Sequence, residues 1–282
     1  MKTALSYHIA LSVVVCLVMA FSCTSEERVP GDNRQTQLPA ESPASPAILR
    51  ARFSVEAAYP HDRTAFTQGL VVRGSTFLES TGQNGASSIR IVDIKTGRVR
   101  KRTDLDAQYF GEGMTVIGSK AYMLTWMNQK GFVFDVKSLQ KIGEFTYAGE
   151  GWGLTTDGTK LYMSNGTSSI AVLDPATYRV ERIFTVTVDG VALDKLNELE
   201  WIDGEIWANV WMQDAIVAIN PQTGRVSKII DLTGILPSTE RRPDTDVLNG
   251  IAWDSVSRKL YVTGKNWPWV YSITTQPNVF AK

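Results

Sequence analysis

Five stretches of the chain repeat one pattern, and this repetition limits the fold more than any other property of the sequence. Each begins with a small or acidic residue. It then runs through a short apolar strand, a turn, a second strand, a third ending near Asp or Asn, and a fourth of alternating polarity. The starts are Gly69-Leu70, Gly113-Met114, Gly153-Leu154, Glu200-Trp201 and Gly250-Ile251, separated by 44, 40, 47 and 50 residues. Four strands recurring at this period are the signature of propeller blades. The spacing predicts an all-β, five-bladed β-propeller.

Turn chemistry supports the prediction. Asp93-Ile94-Lys95-Thr96-Gly97, Asp174-Pro175-Ala176-Thr177 and Asn220-Pro221-Gln222-Thr223-Gly224 fall between third and fourth strands, where Pro and Gly set the dihedrals. Asp157-Gly158 and Asp203-Gly204 read as hairpin turns between first and second strands. Fourth strands are expected at Val99 to Leu105, Gln140 to Tyr147, Arg179 to Val186 and Val226 to Leu232. The fifth unit lacks one, because the chain ends soon after Val270 to Ile273. Arg52 to Tyr59 has the length and alternation to close that blade and leave no open edge.

Composition narrows the function. Lys+Arg and Asp+Glu balance at 29 each, with a pI near 6.8, so no charged stripe calls for a nucleic acid. The two cysteines, Cys16 and Cys23, lie in the first 25 residues, and His61 is the only histidine besides His8. A His/Cys zinc site is excluded within one chain, and any metal needs oxygen ligands.

The first residues read as an address. Lys2 precedes an apolar run from Ile9 to Phe21 broken only by Ser12, too short to span a bilayer comfortably and suited to an export signal. Ala20-Phe21-Ser22-Cys23 is similar to the bacterial lipoprotein cleavage box, which makes Cys23 the expected lipidated residue and places the body outside the cytoplasm, on a membrane. An ordinary signal peptide or an uncleaved anchor gives the same compartment. Pro30, Pro39, Pro43 and Pro46 stand among Ser, Thr, Gln and Glu, a composition of disordered tethers. The expected organisation is a leader over 1–22, a tether over 23–50 and one catalytic domain over 51–282. A monomer is expected.

In an up-and-down blade, residues before first strands and after second strands share a face. Before the first strands stand Phe66 and Gln68, Phe110 and Glu112, Glu150 and Trp152, Asn197 and Glu198, and Asp246 and Asn249. After the second strands stand Glu79, Trp126, Asn165, Trp211 and Lys265, followed by Trp267. All are expected around one mouth. Glu112 lies between Gly111 and Gly113, where no neighbouring side chain would crowd it. Trp201, Trp207 and Trp253 lie inside strands and are assigned to the core, and His61 to a structural role.

Phe66-Thr67-Gln68-Gly69-Leu70, Phe110-Gly111-Glu112-Gly113, Trp126, Gly151-Trp152-Gly153-Leu154, Asn197-Glu198-Leu199-Glu200-Trp201, Trp211 and Lys265-Asn266-Trp267-Pro268 together resemble the plant-type glutaminyl-peptide cyclotransferases and their bacterial relatives. The likeness runs from about Phe53 to Ile273. It implies an acyltransferase that converts N-terminal glutamine of peptides and proteins to pyroglutamate, releasing ammonia. It also implies Glu112 as the catalytic carboxylate, with Phe66, Gln68, Phe110, Trp126, Trp152, Asn197, Trp211 and Lys265 forming the substrate pocket. The reaction needs no cofactor. The resemblance further implies a structural calcium ion, to which no ligands are assigned.

Two other classes use the same residue types. Lactonase-like propellers hold a divalent cation through Glu, Asn and Asp, and Glu112, Asn165, Asn197 and Asp246 offer such donors. A non-catalytic surface lipoprotein could use the propeller as a binding platform.

Overall fold

The computed structural model describes residues 46–280, and the expected leader, Cys23 and most of the tether lie outside them. Among the described residues, helix is limited to the 3-10 turn Ser238–Glu240, and no helix is long and apolar enough to cross a membrane. The strands form three four-stranded antiparallel sheets, one eight-stranded sheet and a two-stranded hairpin.

Each sequence repeat becomes one antiparallel unit. In the second, Gly111–Ile117, Lys120–Thr125, Lys130–Asp135 and Lys141–Thr146 pair in chain order. Burial falls from the inner strand to the outer: nearly all of Gly111–Ile117 is buried, whereas Lys141–Thr146 is mostly exposed. The turns follow the predicted chemistry. Asp93 Oδ1 accepts the Thr96 amide hydrogen at 3.0 Å, and Asp174 and Asn220 do the same for Thr177 and Thr223 at 2.8 and 2.9 Å. Asp135 with Ser138 makes a fourth such turn.

The expected pairing at the end of the chain is present. Leu49–Pro60 runs antiparallel to Trp269–Gln276, from Arg52 opposite Gln276 to Pro60 opposite Trp269. It begins earlier than the expected Arg52, and Leu49 to Arg52 also pair in parallel with Lys228 to Asp231. One strand therefore joins the fourth and fifth units into the eight-stranded sheet. The hairpin Thr187–Val188 with Val191–Ala192 is an addition to the repeat, turned by Asp189 and Gly190 at φ 49° and 83°.

Apolar side chains gather between consecutive units. Leu78 and Ile89 of the first pack with Met114, Met123 and Phe132 of the second. Leu70 and Phe77 of the first also pack with Ala252, Tyr261 and Val270 of the fifth. The inner strands neighbour one another in order, and Leu248–Asp254 returns to Thr67–Arg73. The inner layer is thus barrel-like and nearly closed. Side chains stitch it where backbone ladders do not: Ile251 N–H donates to Glu198 Oε2 and Trp253 N–H to Glu200 Oε1, both at 2.9 Å.

Candidate active site

The entrances of the inner strands are irregular. Register shifts occur between Thr67 and Gly69, Gly111 and Met114, Leu196 and Leu199, and Leu248 and Ile251. Such bulges re-aim side chains beside functional sites, and these hold Gln68, Glu112, Asn197 and Asn249. Across each entrance, the residue after the second strand donates its amide hydrogen to a carbonyl before the first. Trp126 does so to Phe110, Trp211 to Lys195 and Lys265 to Val247, at 2.9, 2.8 and 2.9 Å. These bonds bring Phe110, Trp126, Trp211 and Lys265 to one mouth, as the strand directions predict.

Gly113 has a different role from the one the sequence suggests. A Cβ there would stand 2.5 Å from the Trp152 carbonyl oxygen, which accepts the Gly113 amide hydrogen at 2.6 Å. At Gly153 a Cβ would meet the Asn197 carbonyl oxygen at 1.9 Å. These glycines let neighbouring inner strands approach, and the placement of Glu112 follows from that close packing.

Phe66, Gln68, Phe110, Glu112, Trp126, Trp152, Asn197, Trp211 and Lys265 all line one cavity of about 430 Å³. Glu150 and Asp246 line it too; both were expected at this mouth but outside the substrate-holding set. A larger groove of about 650 Å³ beside the Asp189-Gly190 hairpin has mainly aliphatic walls and holds none of the nine expected site residues. The chemistry-bearing residues converge on the smaller cavity.

Its aromatic wall is ordered by edge contacts. Phe66 meets Phe110 at 5.9 Å between ring centres and 88°, Phe110 meets Trp126 at 5.7 Å and 65°, and Trp152 meets Trp211 at 5.7 Å and 89°. Asn249 Nδ2 donates to Gln68 Oε1 at 3.1 Å and so fixes that carboxamide. Glu112 and Lys265 are each only 5% exposed. Burial pushes the Glu112 carboxyl well above the usual range; Lys265 opposes this shift and Glu150 adds to it. Burial likewise lowers the Lys265 ammonium, against the pull of Glu112 and Asp246.

Several expected rim residues are elsewhere. Glu79 is buried in an ionic network: Oε1 accepts from Thr67 Oγ1 at 2.8 Å and faces His61 Nε2 at 2.9 Å, while Oε2 accepts from Arg90 Nε at 2.8 Å. His61 Nδ1 donates to the Trp267 carbonyl oxygen at 2.9 Å, which confirms a structural place for this ring. Trp267 is fully buried. Asn165 Oδ1 accepts from Thr167, and Asn165 lies outside the cavity lining. Glu198 and Asn249 are buried among the inner strands and do not line the cavity. Of the four donors of the lactonase-like alternative, Glu112, Asn197 and Asp246 line this cavity and Asn165 does not.

Known proteins carry the same pattern. The profile of the family described as glutamine cyclotransferase matches residues 31–275. The chain belongs to the glutamine cyclotransferase family. A glutaminyl-peptide cyclotransferase of Arabidopsis thaliana is 45% identical over 227 residues, 78% of this chain and 70% of the relative. The crystal structure of Myxococcus xanthus glutaminyl cyclase superposes with a TM-score of 0.76 at 31% identity, covering 81% of this chain and 98% of that one. The all-β fold of this cyclotransferase family member thus matches a solved glutaminyl cyclase.

Proposed function

We propose that this enzyme is a five-bladed β-propeller, its last blade closed by the N-terminal strand, that converts N-terminal glutamine of peptides and proteins to pyroglutamate and ammonia. The observation that carries this reading is one buried carboxylate, Glu112, sharing a largely aromatic cavity with one buried lysine, in a chain of the glutamine cyclotransferase family.

The reaction is intramolecular, so its main requirement is to hold the glutamine folded back with its amine against the side-chain carbonyl. Aromatic walls suit that task. The α-amine of a peptide, with a pKa of about 7.7–8.0, arrives largely protonated at neutral pH. Glu112 takes its proton as the amine lone pair forms the new C–N bond and the carbonyl electrons move to oxygen. The same carboxyl then delivers that proton to the former amide nitrogen and takes the second proton that the attacking nitrogen still carries. The oxyanion electrons re-form the carbonyl as the old C–N bond breaks, and ammonia leaves, the last proton passing from Glu112 to it or to water. A carboxyl whose pKa is raised by burial is suited to both transfers, because its affinity for the proton comes closer to that of the amine. Lys265 stabilises the oxyanion. Asn197, whose buried Oδ1 has no partner, accepts a substrate N–H.

The calcium ion implied by family resemblance takes six to eight oxygens at about 2.3–2.6 Å. Among the described residues no group of three or more His, Cys, Asp or Glu side chains could hold a metal ion. These side chains therefore do not fit a carboxylate cage for the ion.

The export signal, tether and Cys23 lipid anchor complete the proposal, supported by the apolar run and the Ala20-Phe21-Ser22-Cys23 box. Cys23→Ser is expected to release the protein from membranes. Mass spectrometry of a dipeptide with N-terminal glutamine tests the chemistry. Loss of ammonia together with the free amine is expected, and an amine-acetylated control should be inert. A product that keeps its free amine and carries glutamate would contradict cyclisation.

A further inference from the structure

The aromatic wall consists of two runs of ring contacts, Phe66 to Phe110 to Trp126 and Trp152 to Trp211. Glu150 bridges them. Its Oε2 accepts the indole hydrogen of Trp126 at 2.7 Å and that of Trp152 at 2.8 Å. The backbone beside it is tied to the same place, since Gly151 N–H donates to the Trp126 carbonyl oxygen at 3.0 Å.

We propose that Glu150 is a positioning residue: by gathering two indole N–H groups on one carboxylate oxygen, it sets the spacing between the two halves of the substrate cavity. This rests on the cyclotransferase reading of that cavity. An indole N–H in a largely apolar wall needs an acceptor, and an anionic oxygen binds such donors about twice as strongly as a neutral one. Without the bridge, the backbones stay tied, but each indole is held only by its own ring contacts. The cavity then no longer holds the folded-back glutaminyl side chain in one geometry. The second consequence is electrostatic, because the Glu150 charge favours the protonated form of Glu112.

The test compares the full-length protein with Glu150→Ala and Glu150→Gln. The alanine variant is expected to raise KM for a glutaminyl dipeptide by about tenfold, with a smaller change in kcat, because the lost contacts position the substrate. It should also expose the two indoles to acrylamide quenching and alter the near-ultraviolet circular dichroism. The glutamine variant keeps an oxygen that can accept both hydrogens, and should restore both the spectrum and a near-wild-type KM. Its acid limb of kcat/KM should lie at lower pH than that of wild type.

Unchanged KM and unchanged quenching in Glu150→Ala would overturn the proposal. So would a glutamine variant as impaired as the alanine one, since the bridge would then not be the cause. The quenching and dichroism need no turnover. They decide the role of Glu150 even if wild-type protein fails to cyclise the dipeptide, an outcome that would contradict the activity and not the bridge.

Discussion

The Lys265 ammonium stands 4.8 Å from the centre of the Phe66 ring. A desolvated cation over an aromatic face is stabilised by about 2 kcal/mol, which helps keep Lys265 charged in a cavity whose burial lowers its pKa. Replacing Lys265 with Met should lower kcat/KM by about a hundredfold if the ammonium faces the developing oxyanion. The pH profile gives the sign of the coupling. Lys265 favours the ionised form of Glu112, so its removal should move the acid limb to higher pH. A limb that stays in place would contradict that coupling.

Glu200 makes stability depend on pH. Burial pushes its carboxyl up from 4.5 to about 8. Between these values the native protein holds a proton that the unfolded chain has released, so the contribution of Glu200 to stability is greatest below about pH 4.5 and declines as pH rises through about 8. In Glu200→Gln the carboxamide oxygen can still accept the Trp253 amide hydrogen, and no proton is lost. Urea unfolding between pH 5 and 8 should show a shallower decline than wild type. Some slope should remain from Glu198, whose carboxyl is also raised by burial and by the Glu200 charge.

Arg90→Met should destabilise the protein by about 3–5 kcal/mol, because it leaves the Glu79 charge buried without its main partner. Burial alone would raise the Glu79 pKa, but Arg90 and His61 hold it well below the usual carboxylate range. The network reaches the site through the His61 bond to the Trp267 carbonyl, two residues beyond Lys265. Thermal unfolding checks the stability, and a raised KM at temperatures where the variant is folded would show the connection.

At Gly113 an added methyl has no room. Gly113→Ala places a carbon 2.5 Å from the Trp152 carbonyl oxygen, and overpacking of this kind costs about 1–3 kcal/mol. A lower melting temperature is expected, with loss of activity as Glu112 and Trp152 are pushed apart. An unchanged melting temperature would contradict the close approach.

Sequence revealed the repeat and the four outer strands between Val99 and Leu232, because strand entrances carry local signals of Gly, short apolar runs and Asp or Asn turns; these gave a wider ring of mouth residues, and the family resemblance singled out nine that line the cavity. Contacts between distant segments were hidden. Glu79 reads as a strand end like Trp126, yet its strand runs on to Thr81 and Arg90 and His61 hold it in the core; its own position carries no sign of this. Leu49 pairs with Lys228, a residue far away in the chain. The Asp189-Gly190 hairpin is the opposite case: its dipeptide is a strong turn signal that falls outside the repeat. In the sequence Glu150 reads only as a mouth residue, since its value lies in two indoles that come together in the folded chain.

In the proposed mechanism the Glu112 carboxyl transfers the protons of cyclisation. The most direct test of this transfer is the rate of ammonia release from a dipeptide with N-terminal glutamine, compared between wild type and Glu112→Gln at the wild-type pH optimum. The expected result is turnover by wild type and a loss of about a hundredfold or more in the variant, with the fold intact by circular dichroism. A folded Glu112→Gln protein that releases ammonia at the wild-type rate would contradict the mechanism.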